Sequence, residues 1–196
     1  MPTKDATKPL TLTERARRAQ LIGVAIDLVA RHGYAGTSLA RIAEAAGISK
    51  AAVLYHFPSK DAVLRAAYAA VLESLVEFVG AAVGPRTGAP ALEAYIRSLV
   101  EYMRVHPDHT RMIIESLVAE SGAPDGPGRQ ETVAGLITAA VAAGDYRAGT
   151  DARATAVIVN GAIDAIVSAG LADPSFRTAD AAEQLITMLS GAYRTS

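Results

Sequence analysis

Residues 37–60 read TSLARIAEAAGISKAAVLYHFPSK, and how this stretch folds decides the rest. Ser38 stands where a helix N-cap belongs, with Leu39, Ile42, Ala43 and Ala46 following at helical spacing. Gly47 ends that helix, because the position after a helix adopts a left-handed conformation that glycine takes without steric cost. Ile48 packs back into the corner and Ser49 caps a second helix from Lys50 to about Phe57. Pro58 stops it, removing a donor and biasing Phe57 away from helix. Two helices of about two turns, broken at a glycine, are the sequence form of a helix-turn-helix.

Charge sharpens this. Residues 1–60 hold nine Lys/Arg against four Asp/Glu, a net of +5; the remainder holds ten Arg against sixteen acids, a net of −6, together giving the formal −1. All four lysines (Lys4, Lys8, Lys50, Lys60) fall in the first sixty residues. A basic module attached to an acidic body suits a duplex, which is a dense line of phosphates.

Thr37-Ser38, Arg41-Ile42-Ala43, Ala46-Gly47-Ile48-Ser49 and Tyr55-His56-Phe57-Pro58-Ser59-Lys60 resemble the N-terminal signature of the tetracycline-repressor (TetR) family of bacterial regulators. The specific resemblance covers about residues 13–60; beyond it only length and a run of helices match. Leu54 departs, standing where the family most often has a tyrosine and leaving Tyr55 to supply the aromatic hydroxyl. The resemblance implies the fold, DNA binding and dimerisation. It also implies that Tyr55, His56 and Lys60 line the phosphates, with Thr37 capping nearby.

In chain order, residues 1–10 are polar, with two prolines and no periodicity, and are expected to form a disordered basic tail. Thr11-Leu12-Thr13-Glu14 fits a capping box. The helix it opens carries Leu21, Ile22, Ala25, Ile26 and Val29 on one face and ends at Arg31-His32-Gly33. Arg15, Arg17 and Arg18 at its start are either a solvated charged end or a backbone-phosphate contact. Ser59 caps a helix over 60–83, striped by Leu64, Ala67, Tyr68, Val71, Leu75 and Phe78 and long enough to lever the basic module against the body. After the loop 84–90, Pro90 opens a helix to Val105 with Leu92, Ile96, Leu99 and Met103 inward and Tyr95 and Tyr102 on its flank. Further helices are expected over 107–120, 129–143, 150–172 (capped by Thr150) and 178–193, with a Gly/Pro loop at 122–128.

The expected fold is all-α, about nine helices, with a tail (1–10), a helix-turn-helix DNA-binding domain (11–60) and a helical effector-binding and dimerisation domain (61–196). The absence of cysteine excludes disulfides and thiol catalysis, and no apolar signal segment is visible, so the cytoplasm is the expected compartment. Residues 154–172 approach a membrane span of about 20 residues in length. Asp164 at mid-depth and the amphipathic helix that follows point instead to a packed helix, with no membrane partner. No catalytic elbow, phosphate loop or carboxylate pair is present, and Pro107 breaks the helix that would align His106 with His109 for a metal. No cofactor or metal is expected.

The candidate DNA-binding residues are Arg17, Thr37, Ser49, Lys50, Ala51, Ala52, Tyr55, His56 and Lys60. Lys50 suits guanine, the methyls of Ala51 and Ala52 suit thymine, and Val53, Leu54 and Phe57 are expected in the core. Tyr55 and His56 have packing as their alternative role. The candidate effector residues are Tyr68, Phe78, Leu99, Tyr102, Met103, Met112, Glu115, Asn160 and Asp164, an aromatic and Met stripe that plain core would equally produce. Without a basic residue on those stripes, a free carboxylate or phosphate effector is disfavoured. The expected function is a ligand-responsive regulator, a repressor released from a palindromic double-stranded operator by a small, mostly apolar effector. It is expected to dimerise through its last two helices. The alternative is a helical small-molecule-binding or enzymatic protein whose N-terminal module no longer binds DNA.

Overall fold

The computed structural model describes residues 11–119 and 127–195. Their helices run α1 (Leu12–Gly36), α2 (Leu39–Ala45), α3 (Lys50–His56), α4 (Lys60–Val83), α5 (Gly88–Val105), α6 (Pro107–Ala119), α7 (Pro127–Ala142), α8 (Ala152–Ala172) and α9 (Thr178–Tyr193). The all-α expectation of about nine helices holds among the described residues, which add one isolated antiparallel bridge, Tyr146 with Arg194. The expected tail at 1–10 and loop residues 122–126 lie outside them. The chain divides into two compact units between Ala70 and Val71, within α4.

In the first unit both halves of the capping box form. Glu14 N donates to Thr11 Oγ1 at 3.2 Å and Thr11 N donates to Glu14 Oε2 at 2.8 Å. The expected stop at Gly33 is a kink (φ 70°), after which helical turns resume to Gly36. Ser38 and Ser49 cap α2 and α3, and Gly47 bridges them at φ +66°. Seven residues each, these helices are too short to persist alone. Burial holds them: Leu21, Ala25, Ile26 and Val29 of α1 share a core with Ile42, Val53, Phe57, Val63, Leu64 and Ala67. Each large aliphatic or aromatic member contributes about 1.5–3 kcal/mol.

In the second unit α5 lies against α7, α8 and α9, and its Leu92, Ile96, Leu99 and Val100 join Val133, Ile137, Val159, Ile163, Leu185 and Ile186 in one core. Tyr95 and Tyr102, expected on a flank, are both buried, Tyr95 in this core and Tyr102 beside Val71, Phe78 and His109, because neighbours cover α5 over most of its circumference. Helix α5 starts at Gly88, before Pro90. Thr87 makes no side-chain cap bond; instead Asp145 Oδ2, from the α7–α8 turn, accepts from Ala89 N at 2.8 Å. Gly88 (φ +64°) leaves the room for that carboxylate, since a Cβ there would overlap it. Helix α8 is capped by Asp151, whose Oδ1 accepts from Arg153 N and Ala154 N at 3.0 Å each. Thr150, expected in that role, donates its hydroxyl to Arg147 O. By length and composition α4 and α8 could each cross a membrane, yet α8 gives Ala156, Val159 and Ile163 to the core.

Candidate functional site

The turn from α2 to α3 sets the first site. With successive residues 100° apart, Val53 and Phe57 share the inward side of α3 and are 0% and 1% exposed. The exposed arc carries Lys50, Ala51, Leu54 and Tyr55, with Ala52 and His56 at intermediate exposure. Leu54, expected in the core, is 41% exposed. The reason is phase: it sits one turn after Lys50, about 100° away from Val53. Sequence reasoning missed this exposure, although the spacing from Lys50 carried the signal.

What holds this arc is α1. The Arg18 guanidinium donates to the carbonyl of His56 and lies 3.9 Å over the Phe57 ring, tying α1 to the end of α3. Of the three arginines at the start of α1, Arg18 is therefore a packing residue. Arg17 Nη1 bonds Gln20 Oε1 at 2.6 Å, near the surface. Tyr55, 65% exposed, donates its hydroxyl to Glu14 Oε1 at 3.1 Å, and its ring meets His56 edge-on. The bonds from Thr11 and then Tyr55 hold the Glu14 carboxyl below its usual range, and the bond to Glu14 pushes the Tyr55 hydroxyl up. The hydroxyl proton of Tyr55 is thus directed to Glu14.

Lys60 and Thr37 are placed differently from an open phosphate clamp. Lys60 Nζ donates to Tyr34 O at 2.7 Å and lies 4.9 Å from that ring, whose hydroxyl reaches Asp61. Thr37 is buried at the end of α1, and its hydroxyl donates to Gly33 O; the cap of α2 is Ser38. Ser49 Oγ accepts from Ala52 N at 3.1 Å, fixing the start of α3.

The nine expected effector residues do not converge on one cavity. Tyr68 is half-buried in the first unit. In the second, Leu99 and Met112 are core, Glu115 is half-buried, and Phe78 is partly exposed with its ring 5.5 Å from Tyr102. The Tyr102 hydroxyl lies 2.7 Å from His109 Nδ1 and 3.4 Å from Val71 O, and His109 stacks on His106 at 5.1 Å. Asn160 is 6% exposed, and neither Oδ1 nor Nδ2 has a partner among the described residues. Asp164, expected to supply interior charge, faces out and pairs with Arg129 Nη2 at 2.8 Å. It sits one residue, about 100° round the helix, past the buried Ile163.

A cavity of about 370 Å³ does form, between α5, α6, α8 and the α8–α9 turn. Of the expected residues only Met103 lines it, with Val100, Val167, Leu171 and Phe176 as apolar wall. Its charged lining is Arg104 and Arg111, neither of which lies on the inward stripes expected to face an effector. Arg104 and Arg111 sit on the polar side of their helices' periodicity. Only the neighbouring α8–α9 turn makes that side a wall, so spacing alone hid them.

Residues 21–67 match the family model described as bacterial regulatory proteins, tetR family. The HTH-type transcriptional regulator RutR of Escherichia coli K12 is 33% identical over 109 residues, 56% of this chain and 50% of that protein. The HTH-type transcriptional regulator CymR of Pseudomonas putida is 38% identical over 72 residues, 36% of each. The chain thus spans half or less of the length of these curated relatives. Among solved structures, the fatty acid degradation regulator FadR of Bacillus halodurans superposes with a TM-score of 0.78 at 17% identity, covering 94% of this chain and 97% of that one. A transcriptional regulator from Saccharomonospora viridis in complex with choline gives 0.78 at 21%, covering 93% and 100%. At these identities the structures speak for the fold.

Proposed function

We propose that the chain, whose residues 21–67 match the tetR family of bacterial regulatory proteins, is a member of that family and a ligand-responsive DNA-binding repressor acting as a homodimer. The observation that carries this is the exposed arc of α3: Lys50, Ala51, Leu54 and Tyr55 lie outside the core while Val53, Phe57 and Arg18 fix the helix behind them. A recognition helix needs just that division, with base-reading residues on a rigid support. Ser49, Lys50, Ala51 and Ala52 meet base edges in this proposal. Arg17, Tyr55, His56 and Lys60 meet phosphates, with Thr37 supporting the turn.

Two such modules read a near-palindrome when the bodies pair through the outer faces of α8 and α9. Support for that pairing comes from Ile158 and Met188, 59% and 69% exposed, and from Gly161 and Ala165, exposed small residues that permit close helix approach. A small, mostly apolar effector in the second unit shifts the equilibrium by binding one arrangement more tightly than the other. Acting on DNA, the protein works in the cytoplasm.

The test is a salt-titrated binding assay on duplexes from the intergenic DNA beside its gene. A palindrome bound in preference to random duplex, with affinity falling steeply with salt, is the expected result. Absence of duplex binding at low salt would favour the alternative of a helical small-molecule-binding protein, for which the hydroxyl lost at Leu54 is the supporting observation.

A further inference from the structure

The 370 Å³ cavity of the second unit takes a small amphiphilic anion, we propose, with its head against Arg104, Arg111 and Thr178 and its apolar body along α5 and α8. This deepens the effector-responsive function proposed above and rests on it.

Three observations converge on the head group. The first is charge: the lining side chains include two guanidiniums and no carboxylate. The second is how Arg104 is held. Its Nε and Nη2 donate to the two carboxylate oxygens of Glu101 at 2.8 and 2.6 Å, so the planar fork is fixed while Nη1 makes no bond among the described residues. Glu101 does not line the cavity, so the fork offers its remaining donors to an occupant.

The third is Thr178. It is 6% exposed, its methyl packs against Gly170, and its Oγ1 is buried without a hydrogen-bond partner among the described residues. A buried hydroxyl left unpaired is costly, and a turn about the Cα–Cβ bond of Thr178, which lines the cavity, would bring it to an anion there. Thr178 also opens α9, whose N-cap residue Arg177 makes no side-chain cap bond, and Pro107 opens α6 on the same cavity. Helices α5 and α8 end at this cavity, so the helix termini around it are mixed in sign and the preference for an anion rests on the guanidiniums.

The rest of the lining limits the body of the ligand. Val100, Met103, Val167, Leu171 and Phe176 offer no donor or acceptor side chain other than the soft Met103 thioether. The volume lies at the small end for ligand sites, which run from about 300 to 1,000 Å³. A single charged head on a short apolar chain fits; a polyanion or a large polar molecule does not.

The experiment uses the full chain with three probes that share one tail, octanoate, octan-1-ol and octylamine, below micelle-forming concentrations. Titration calorimetry is expected to show octanoate binding about tenfold more tightly than octan-1-ol, with octylamine not binding. Arg104→Gln combined with Arg111→Gln should erase the preference for octanoate, and Thr178→Val should reduce it several-fold. Octan-1-ol binding, which uses only the walls, should persist in both variants and reports that the cavity is still folded. Equal binding of octanoate and octylamine, or wild-type octanoate affinity in the double arginine variant, overturns the site. Operator binding separates this from the underlying function. Octanoate that binds through the arginines without changing operator affinity leaves the anion site standing and removes effector response. An operator released by other compounds, with no anion binding, removes the anion site alone.

Discussion

Lys50 and Lys60 lie ten residues apart and carry the same charge, yet their surroundings assign them different work. Lys50 is exposed at the start of α3, whereas Lys60 spends its ammonium on Tyr34 O. Lys50→Ala is expected to lower discrimination between operator variants by about 1–3 kcal/mol at one base pair. Lys60→Ala is expected to weaken binding to all sequences alike and to cost the fold about 0.5–1.5 kcal/mol for the lost hydrogen bond. Indistinguishable behaviour across an operator panel would end that division. Leu54, on the same arc, offers no donor, so Leu54→Tyr should raise affinity for duplex DNA generally and increase its salt dependence, read in the same assay. His109 shows a different coupling. Burial, and next the charge of His106, hold its pKa below the ordinary imidazole value, with Asp108 pulling the other way. The unfolded chain therefore binds more protons than the folded one as pH falls through about 6.5, and stability drops until the folded ring also protonates. The melting temperature should decline from pH 7 toward about pH 5. His109→Gln should flatten that decline, and an unchanged slope would place its origin elsewhere.

At the scale of elements, what was legible in the sequence is what local chemistry sets. Helix α4 runs Lys60–Val83 as its spacing predicts, because Ser59 caps it and Gly84 follows it in a left-handed turn. Helix α9 runs Thr178–Tyr193, also as its spacing predicts, with Thr178, Ala182, Leu185, Ile186 and Leu189 on its buried face. The helix-turn-helix was legible because every signal in it (Ser38, Gly47, Ser49, Pro58) acts within a few residues. The start of α5 was not, since its cap is a carboxylate far along the chain. Asp145→Ala should therefore destabilise the second unit by about 0.5–2 kcal/mol, the usual loss for a helix cap, measurable as a lower urea midpoint with unchanged slope. The cavity was illegible for a related reason. Periodicity says which side of a helix is apolar, but Arg104, Arg111 and Phe176 become neighbours only through tertiary packing.

At the scale of the molecule, the sequence shows two chemistries, a basic front and an apolar, acidic rear, and the division between Ala70 and Val71 follows them approximately. The rear unit's outer surface bears on assembly. A Cβ placed on Gly161 meets nothing within 4 Å, so a side chain there is tolerated by the single chain. If the bodies pair through α8, a long charged side chain at that position is expelled from a close helix crossing. Gly161→Arg should then leave the far-UV spectrum unchanged while the mass in light scattering falls from twice 20.3 kDa to the single-chain value. A wild-type protein that already scatters as one chain would remove the dimer.

Gly88 and Asp145 have a consequence for how the sequence can drift. The carboxylate occupies the space that any side chain at position 88 needs, and the backbone there holds φ at +64°. Neither residue can be exchanged first without loss. Changing Gly88 displaces the carboxylate, and changing Asp145 strands the Ala89 amide beside a glycine with nothing left to accommodate. Across an alignment of relatives the two columns should covary, with Gly and Asp retained as a pair or replaced as a pair.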